Sequence, residues 1–184
     1  MTERTLFSEK VSGRPQFRKL RPAIHHQLAK LHHARKGIVL PKSLVEGWPY
    51  LHLNPSHVVL KVGDTKGRVC MDPRASGLNE GTDLESIYDE VGMLVLPSIR
   101  DVASTAAAAL ARGETQISKF DISAAFTQYK LSWEAAVLQA IDLDNLVFIP
   151  LVGMFGWTAS PGYYDLISKL VDWAHRGGNF HAGA

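Results

Sequence analysis

The chain has 184 residues, of which 46% are apolar and 21% charged, and it carries a formal net charge of +2. That apolar content excludes general disorder, because there is ample surface to bury against the entropy cost of ordering. The single cysteine, Cys70, excludes an internal disulfide framework and a cysteine-based zinc site. The small net charge hides a division. Residues 1–66 carry 12 Lys and Arg against 4 Asp and Glu, a net of +8, and residues 67–184 carry 8 against 14, a net of −6. Asymmetry of this kind accompanies polyanionic partners. The N-terminal stretch lacks the apolar centre of a signal peptide, and no apolar run reaches the ~18–20 residues that span a bilayer. A soluble, intracellular protein without membrane attachment is the expectation.

Residues 1–21 are polar and basic without a clear period and read as a flexible arm. Pro22 suits the first turn of a helix and Gly37 its end, with Ile24, Leu28 and Leu31 as the apolar stripe. From Gly37 to Asn54 the punctuation of Pro41, Gly47 and Pro49 reads as loop. Residues 57–62 and 67–72 are short and β-branched around GDTK, which predicts a hairpin. The acidic connection that follows, down to Met93, has no legible structure. Pro97 and Ser98 introduce an alanine-rich helix that stops at Gly113, and its stripe of Ile99, Val102, Ala106 and Leu110 asks for a flat packing partner. Strands are predicted at 116–122, 126–132, 136–142 and 145–151. A last helix runs from about Ala159 to His175, with Tyr163, Ile167, Leu170 and Ala174 on one face. The order predicts an α+β fold in which helices cover a sheet.

Several residues carry candidate chemistry. The pairs His25–His26 and His32–His33 sit at the wrong helical spacing for one metal and read as a solvated, weakly basic face. Cys70, among apolar neighbours in a strand, reads as a structural thiol rather than a nucleophile. Asp121 ends an apolar-flanked strand and precedes Ser123, Ala124 and Ala125, which leave room for a cation; a turn or helix cap fits the same pattern. The segment Val152–Pro161 sets two glycines and two aromatics ahead of a helix, as a base- or sugar-stacking loop or as a tight turn with core aromatics. Lys61, Lys66, Arg68 and Arg74 thread the hairpin. Lys61 and Arg68 flank its tip, where both could reach one phosphate group; ordinary solubilising charge is the alternative.

Four segments in this order resemble the reverse transcriptase domain of long-terminal-repeat or related retrotransposons, from about Pro22 to Gly178. They are SHVVLKVGDTKGRVCMDPRASGLN, similar to the family's fingers block; LPSIRDV, similar to the start of a palm helix; KFDISAAFTQYKL, similar to polymerase motif A; and PLVGMFGWTASPGYYDLISKLV, similar to motif B. The resemblance implies part of the fingers and palm of a right-hand polymerase, with an antiparallel sheet packed by helices. Its divisions are a basic arm at 1–21, a fingers-like region with connecting helix at 22–115, and a partial palm at 116–184.

The resemblance also implies roles. Asp121 would be the catalytic acid and a metal ligand, with the Ile122 carbonyl as a further ligand, in two-ion phosphoryl transfer by Mg²⁺, or by Mn²⁺ in its place. Phe126 would sit under the incoming sugar and reject a 2′-hydroxyl. Arg68 and Lys61 would grip the triphosphate, and Phe155 and Gly156 would line the nucleotide pocket. Asp72 and Arg74 match a fingers pair, read as a mutual ion pair. The insertion Ala75–Gly77 after Pro73 departs from the family's pattern. The larger departure is that the 184 residues hold no aromatic-x-Asp-Asp sequence, the family's motif C. The expectation is therefore a polymerase fragment inactive alone, whose partners are an RNA or DNA template–primer, a deoxynucleoside triphosphate, and the remainder of a polyprotein or a completing chain. The rival is a non-catalytic nucleic-acid-binding protein that uses the basic half.

Overall fold

The computed structural model describes residues 15–59, 68–114 and 121–175. Helix α1 (Pro15–His33) is followed by β1 (Gly37–Pro41), a short α2 (Lys42–Val45), β2 (Leu53–Asn54), β3 (Ser56–Val59) and β4 (Arg68–Met71). Then come α3 (Leu84–Val91), α4 (Ile99–Ala111), a 3₁₀ turn (Ala125–Gln128), α5 (Trp133–Leu138), β5 (Ala140–Leu143), β6 (Leu146–Pro150) and α6 (Ser160–His175). The α+β class is as expected. No helix among the described residues is long and apolar enough to cross a membrane.

Four strands form one sheet in the order β1-β6-β5-β2, and β3 pairs with β4 in a separate two-stranded sheet. The larger sheet is mixed rather than antiparallel. β1–β6 and β5–β6 are antiparallel, but β2 runs parallel to β5, with Leu53 opposite Ala140 and Asn54 opposite Ile141. The parallel edge comes from the route of the chain: β1 and β2, close in sequence, lie at opposite edges.

Both faces of the larger sheet are covered, and the period-two alternation of strands sorts its residues between them. Phe148, Ile141 and Leu143 join Ile24 and Leu28 of α1, Val69 and Met71 of β4, and Met154 in one core. Val147, Ile149 and Ala140 join Val45, Leu51, Ala136 and Val137 in the other. Strands buried on both sides read as continuous apolar runs, which is why LVFIP carries no polar residue.

Several sequence expectations are corrected. Helix α1 starts at Pro15, not Pro22, so residues 15–21 of the expected arm are helical. Pro22 removes one backbone hydrogen bond at a cost of about 3 kcal/mol, but burial of Ile24 and Leu28 holds the turns that follow. The helix stops at a left-handed Arg35 (φ 57°), with Lys36 N–H donating to the Leu31 carbonyl, as a glycine-terminated helix would. Gly37 instead opens β1. It lies under the Phe148 ring, where a Cβ would collide with ring carbons.

The expected loop 37–54 contains β1, α2 and β2, because its pairing partners lie about a hundred residues on, at Gly37–Pro150 and Leu53–Ala140. The hairpin is present in β3 and β4, with Ser56 opposite Met71 and Val59 opposite Arg68; its tip, including Lys61 and Lys66, lies outside the described residues. The acidic connection contains α3, N-capped by Asp83, whose side chain accepts from Ser86 N–H.

Of the predicted strands, residues 116–120 lie outside the described set and 126–128 form the 3₁₀ turn. There Ala124 turns left-handed (φ 52°), and only Lys130 bridges to Val152. Residues 136–138 are helical, because Ser132 caps α5 by accepting from Ala135 N–H. The expected strand 145–151 is matched by β6 and the final helix by α6. Helix α4 forms where expected, on a Ser98–Asp101 capping box, but contains no buried residue: Ile99, Val102 and Leu110 are exposed, and among the described residues no flat partner covers them.

Candidate nucleotide-facing site

The site is built where β4, the 3₁₀ turn and the loop between β6 and α6 meet. Met71 N–H donates to the Phe155 carbonyl at 2.9 Å, which ties the loop to the end of β4. The next residue, Gly156, has φ +116° and lies against the Met71 carbonyl, so a Cβ there would be strained and obstructed together. This geometry holds the Phe155 ring beside β4. The Arg68 guanidinium stands 5.9 Å from its centroid, a cation–π contact worth about 0.5–1 kcal/mol at an exposed position.

The 3₁₀ turn brings up the second ring. Phe126 meets Phe155 edge-to-face at 4.8 Å and Tyr164 of α6 at 5.8 Å. The turn is held from β1's side, where Lys36 Nζ donates to Thr127 Oγ1 at 2.9 Å and Thr127 Oγ1 donates to the Ala124 carbonyl at 3.0 Å. Gln128 Nε2 also reaches back to the Ser123 carbonyl. Three sequence-distant segments thus converge on one aromatic cluster with a guanidinium at its edge.

Four of the residues singled out in the sequence, Arg68, Phe126, Phe155 and Gly156, are brought together. Lys61 lies outside the described residues. Asp121 is exposed at the start of the segment leading to the turn, and Ile122 beside it is half-buried. Among the described residues no three His, Cys, Asp or Glu side chains converge to hold a metal ion. Mg²⁺ demands near-octahedral oxygen ligation and leans on one or two carboxylates plus substrate phosphates. One exposed carboxylate and a neighbouring carbonyl therefore do not fit a two-ion centre by themselves. Asp72 and Arg74 do not form the expected ion pair: Asp72 Oδ1 instead accepts from Ala75 N–H at 3.1 Å and fixes the turn.

Cys70 is half-buried on β4, and burial pushes its thiol up, only partly opposed by Arg68. A raised thiol is a poor nucleophile at neutral pH, which agrees with a structural role. Tyr129 fills the space that a side chain at Gly153 would need. Burial pushes the Tyr129 phenol up, with Ser160 opposing and Tyr163 adding to the rise.

Other residues frame the site, among them Trp157, the second aromatic of the segment Val152–Pro161. Trp157 stacks on Tyr163 at 5.7 Å, and its indole N–H donates to Thr82 Oγ1 at 3.1 Å. Asn79 bonds both sides of Trp157. The aromatic density of residues 155–164 was a signal for Trp157, Tyr163 and Tyr164. Asn79 closes the fingers-like block of the sequence, but nothing local marked the loop groups it bonds, and nothing marked Lys36 as a partner of the turn. Comparison with protein-family models, curated proteins and solved structures gives no match.

Proposed function

We propose that the chain is a fingers-plus-partial-palm piece of a retroelement RNA-directed DNA polymerase. The parent reaction is templated DNA synthesis from deoxynucleoside triphosphates. The observation that carries this reading is the convergence of Arg68, Phe126 and the Phe155–Gly156 loop on one cluster. A guanidinium suits a triphosphate, and an aromatic ring packed rigidly against a second ring suits exclusion of a 2′-hydroxyl by bulk. In this reading Lys61 joins Arg68 on the phosphates, and Asp121 with the Ile122 carbonyl would supply only part of the ligation that a two-ion Mg²⁺ centre needs. The 184 residues contain no aromatic-x-Asp-Asp sequence, so this chain alone binds substrates without extending a primer.

The test is a titration of fluorescent dNTP and the matching rNTP onto the chain assembled with primer–template in Mg²⁺ buffer. The expected result is preference for the deoxy sugar, lost in Phe126→Ala, and weaker binding of both nucleotides in Arg68→Ala. Equal binding of the two sugars by the wild type, or no nucleotide binding, would overturn the reading. Tight, salt-dependent primer–template binding without nucleotide selectivity would instead favour a nucleic-acid-binding protein using its basic half.

A further inference from the structure

We infer that Asn79 is a positioning residue for the loop that presents Phe155, a role that rests on the nucleotide-facing reading above. Its single side-chain amide bonds two backbone groups on either side of Trp157. Nδ2 donates to the Gly156 carbonyl at 3.3 Å, and Oδ1 accepts from Thr158 N–H at 3.1 Å. Only a side chain with a donor and an acceptor at one tip can do both, which in this reach means asparagine. Both of these bonds end on loop backbone rather than on the Phe155 or Phe126 ring, so the effect of Asn79 on the cluster passes through the loop backbone.

The loop has two further restraints. Gly156 is pressed on the Met71 carbonyl, and Trp157 is held by Thr82, whose hydroxyl donates in turn to the Leu78 carbonyl at 2.9 Å. Asn79 is braced at its own backbone, its N–H donating to the Pro73 carbonyl at 3.2 Å. The turn that carries it is anchored to the larger sheet, where Ser76 Oγ donates to Asn54 Oδ1 at 2.6 Å. The chain of contacts runs from buried Asn54 through Ser76 and the turn to Asn79, and from there to the loop. Asn79 therefore transmits the fixed position of the sheet edge to the backbone that follows Phe155.

The test compares wild type, Asn79→Ala and Asn79→Asp in the same dNTP and rNTP titrations, with amide hydrogen exchange across residues 155–158 and thermal melting alongside. Asn79→Ala should weaken dNTP binding about tenfold, in line with two lost hydrogen bonds, narrow the sugar preference, and speed exchange at the Thr158 amide. Asn79→Asp keeps the acceptor for Thr158 N–H but loses the donor to Gly156, and should fall between. Unchanged affinity and sugar preference in Asn79→Ala would overturn the inference while leaving the proposed function standing. So would a lowered melting temperature with selectivity intact, or unchanged Thr158 exchange. Absence of nucleotide binding by the wild type would overturn both.

Discussion

Strand β6 and helix α4 are both apolar in sequence, and the structure treats them in opposite ways. In β6, Val147, Phe148 and Ile149 are fully buried, their side chains divided between two cores. In α4, Ile99 is 85% exposed, Leu110 65%, and no residue is buried. The helix rests on local terms: a run of alanines, the best helix formers, and a capping box in which Ser98 and Asp101 satisfy each other's backbone N–H. The strand pairs with β5, its neighbour in sequence, but also with β1, and packs on residues of α1 and β4, all three far from it in the chain. Apolar composition therefore states only that a segment can be buried, and long-range pairing decides whether it is.

The contrast can be broken most forcefully at Phe148, whose side chain is fully buried. Phe148→Ala should cost about 3–5 kcal/mol of unfolding free energy by chemical denaturation, the transfer and cavity terms together. A loss under 1 kcal/mol would mean that the two-faced sheet is not the stable centre.

Asn54→Ala comes next. Asn54 is fully buried, and its Nδ2 faces the carbonyls of His52, Leu138 and Ala140 while its Oδ1 accepts from Ser76. Removing it strands these groups at about 1–3 kcal/mol. The loss should appear in the same denaturation experiment.

At α4, Ser98→Ala should cost about 1 kcal/mol of local helix stability. Because nothing in α4 is buried, the loss should show as reduced helical circular dichroism with the global denaturation midpoint nearly unmoved. The same cap sets a pH dependence. The Ser98 side chain and backbone hold the Asp101 carboxyl below its ordinary value. A lowered folded value means that the contribution is present above the unfolded value and is lost as pH falls through the folded one. Helicity of α4 should therefore decline in acid, and Ser98→Ala should remove most of that dependence.

The smallest effect is expected at Ile99→Ala, within about 0.5 kcal/mol of zero, as for surface substitutions away from special features. A loss above 2 kcal/mol, measured by denaturation, would show that the exposed face is covered in solution.

The parts of the fold that were legible in sequence share a cause. The α4 cap at Ser98, the β3–β4 pairing and helix α6 each depend on neighbours within one element or one turn. The misread parts depend on distant ones. Residues 37–54 look like loop until Pro150 and Ala140 supply partners for Gly37 and Leu53. Gly37 looks like a helix stop until the Phe148 ring is found over it. In the candidate site, Arg68, Phe126, Phe155 and Gly156 were visible one by one as residue types in motifs. Asn79 also closes the fingers-like block, but an asparagine in an irregular acidic stretch carries no local mark of the carbonyl and amide it will bridge.

By itself, then, the sequence determined the class of the fold, the start of α4 at Ser98 and the kinds of side chain available to the candidate site. Those follow from local propensity, hydrophobic period and side-chain chemistry. Only the tertiary structure decided that the sheet is mixed and buried on both faces, that α4 stands uncovered, and that Asn79 braces the loop that follows Phe155. Each of these turns on whether segments far apart in the chain meet, which is set by packing rather than by neighbouring residues.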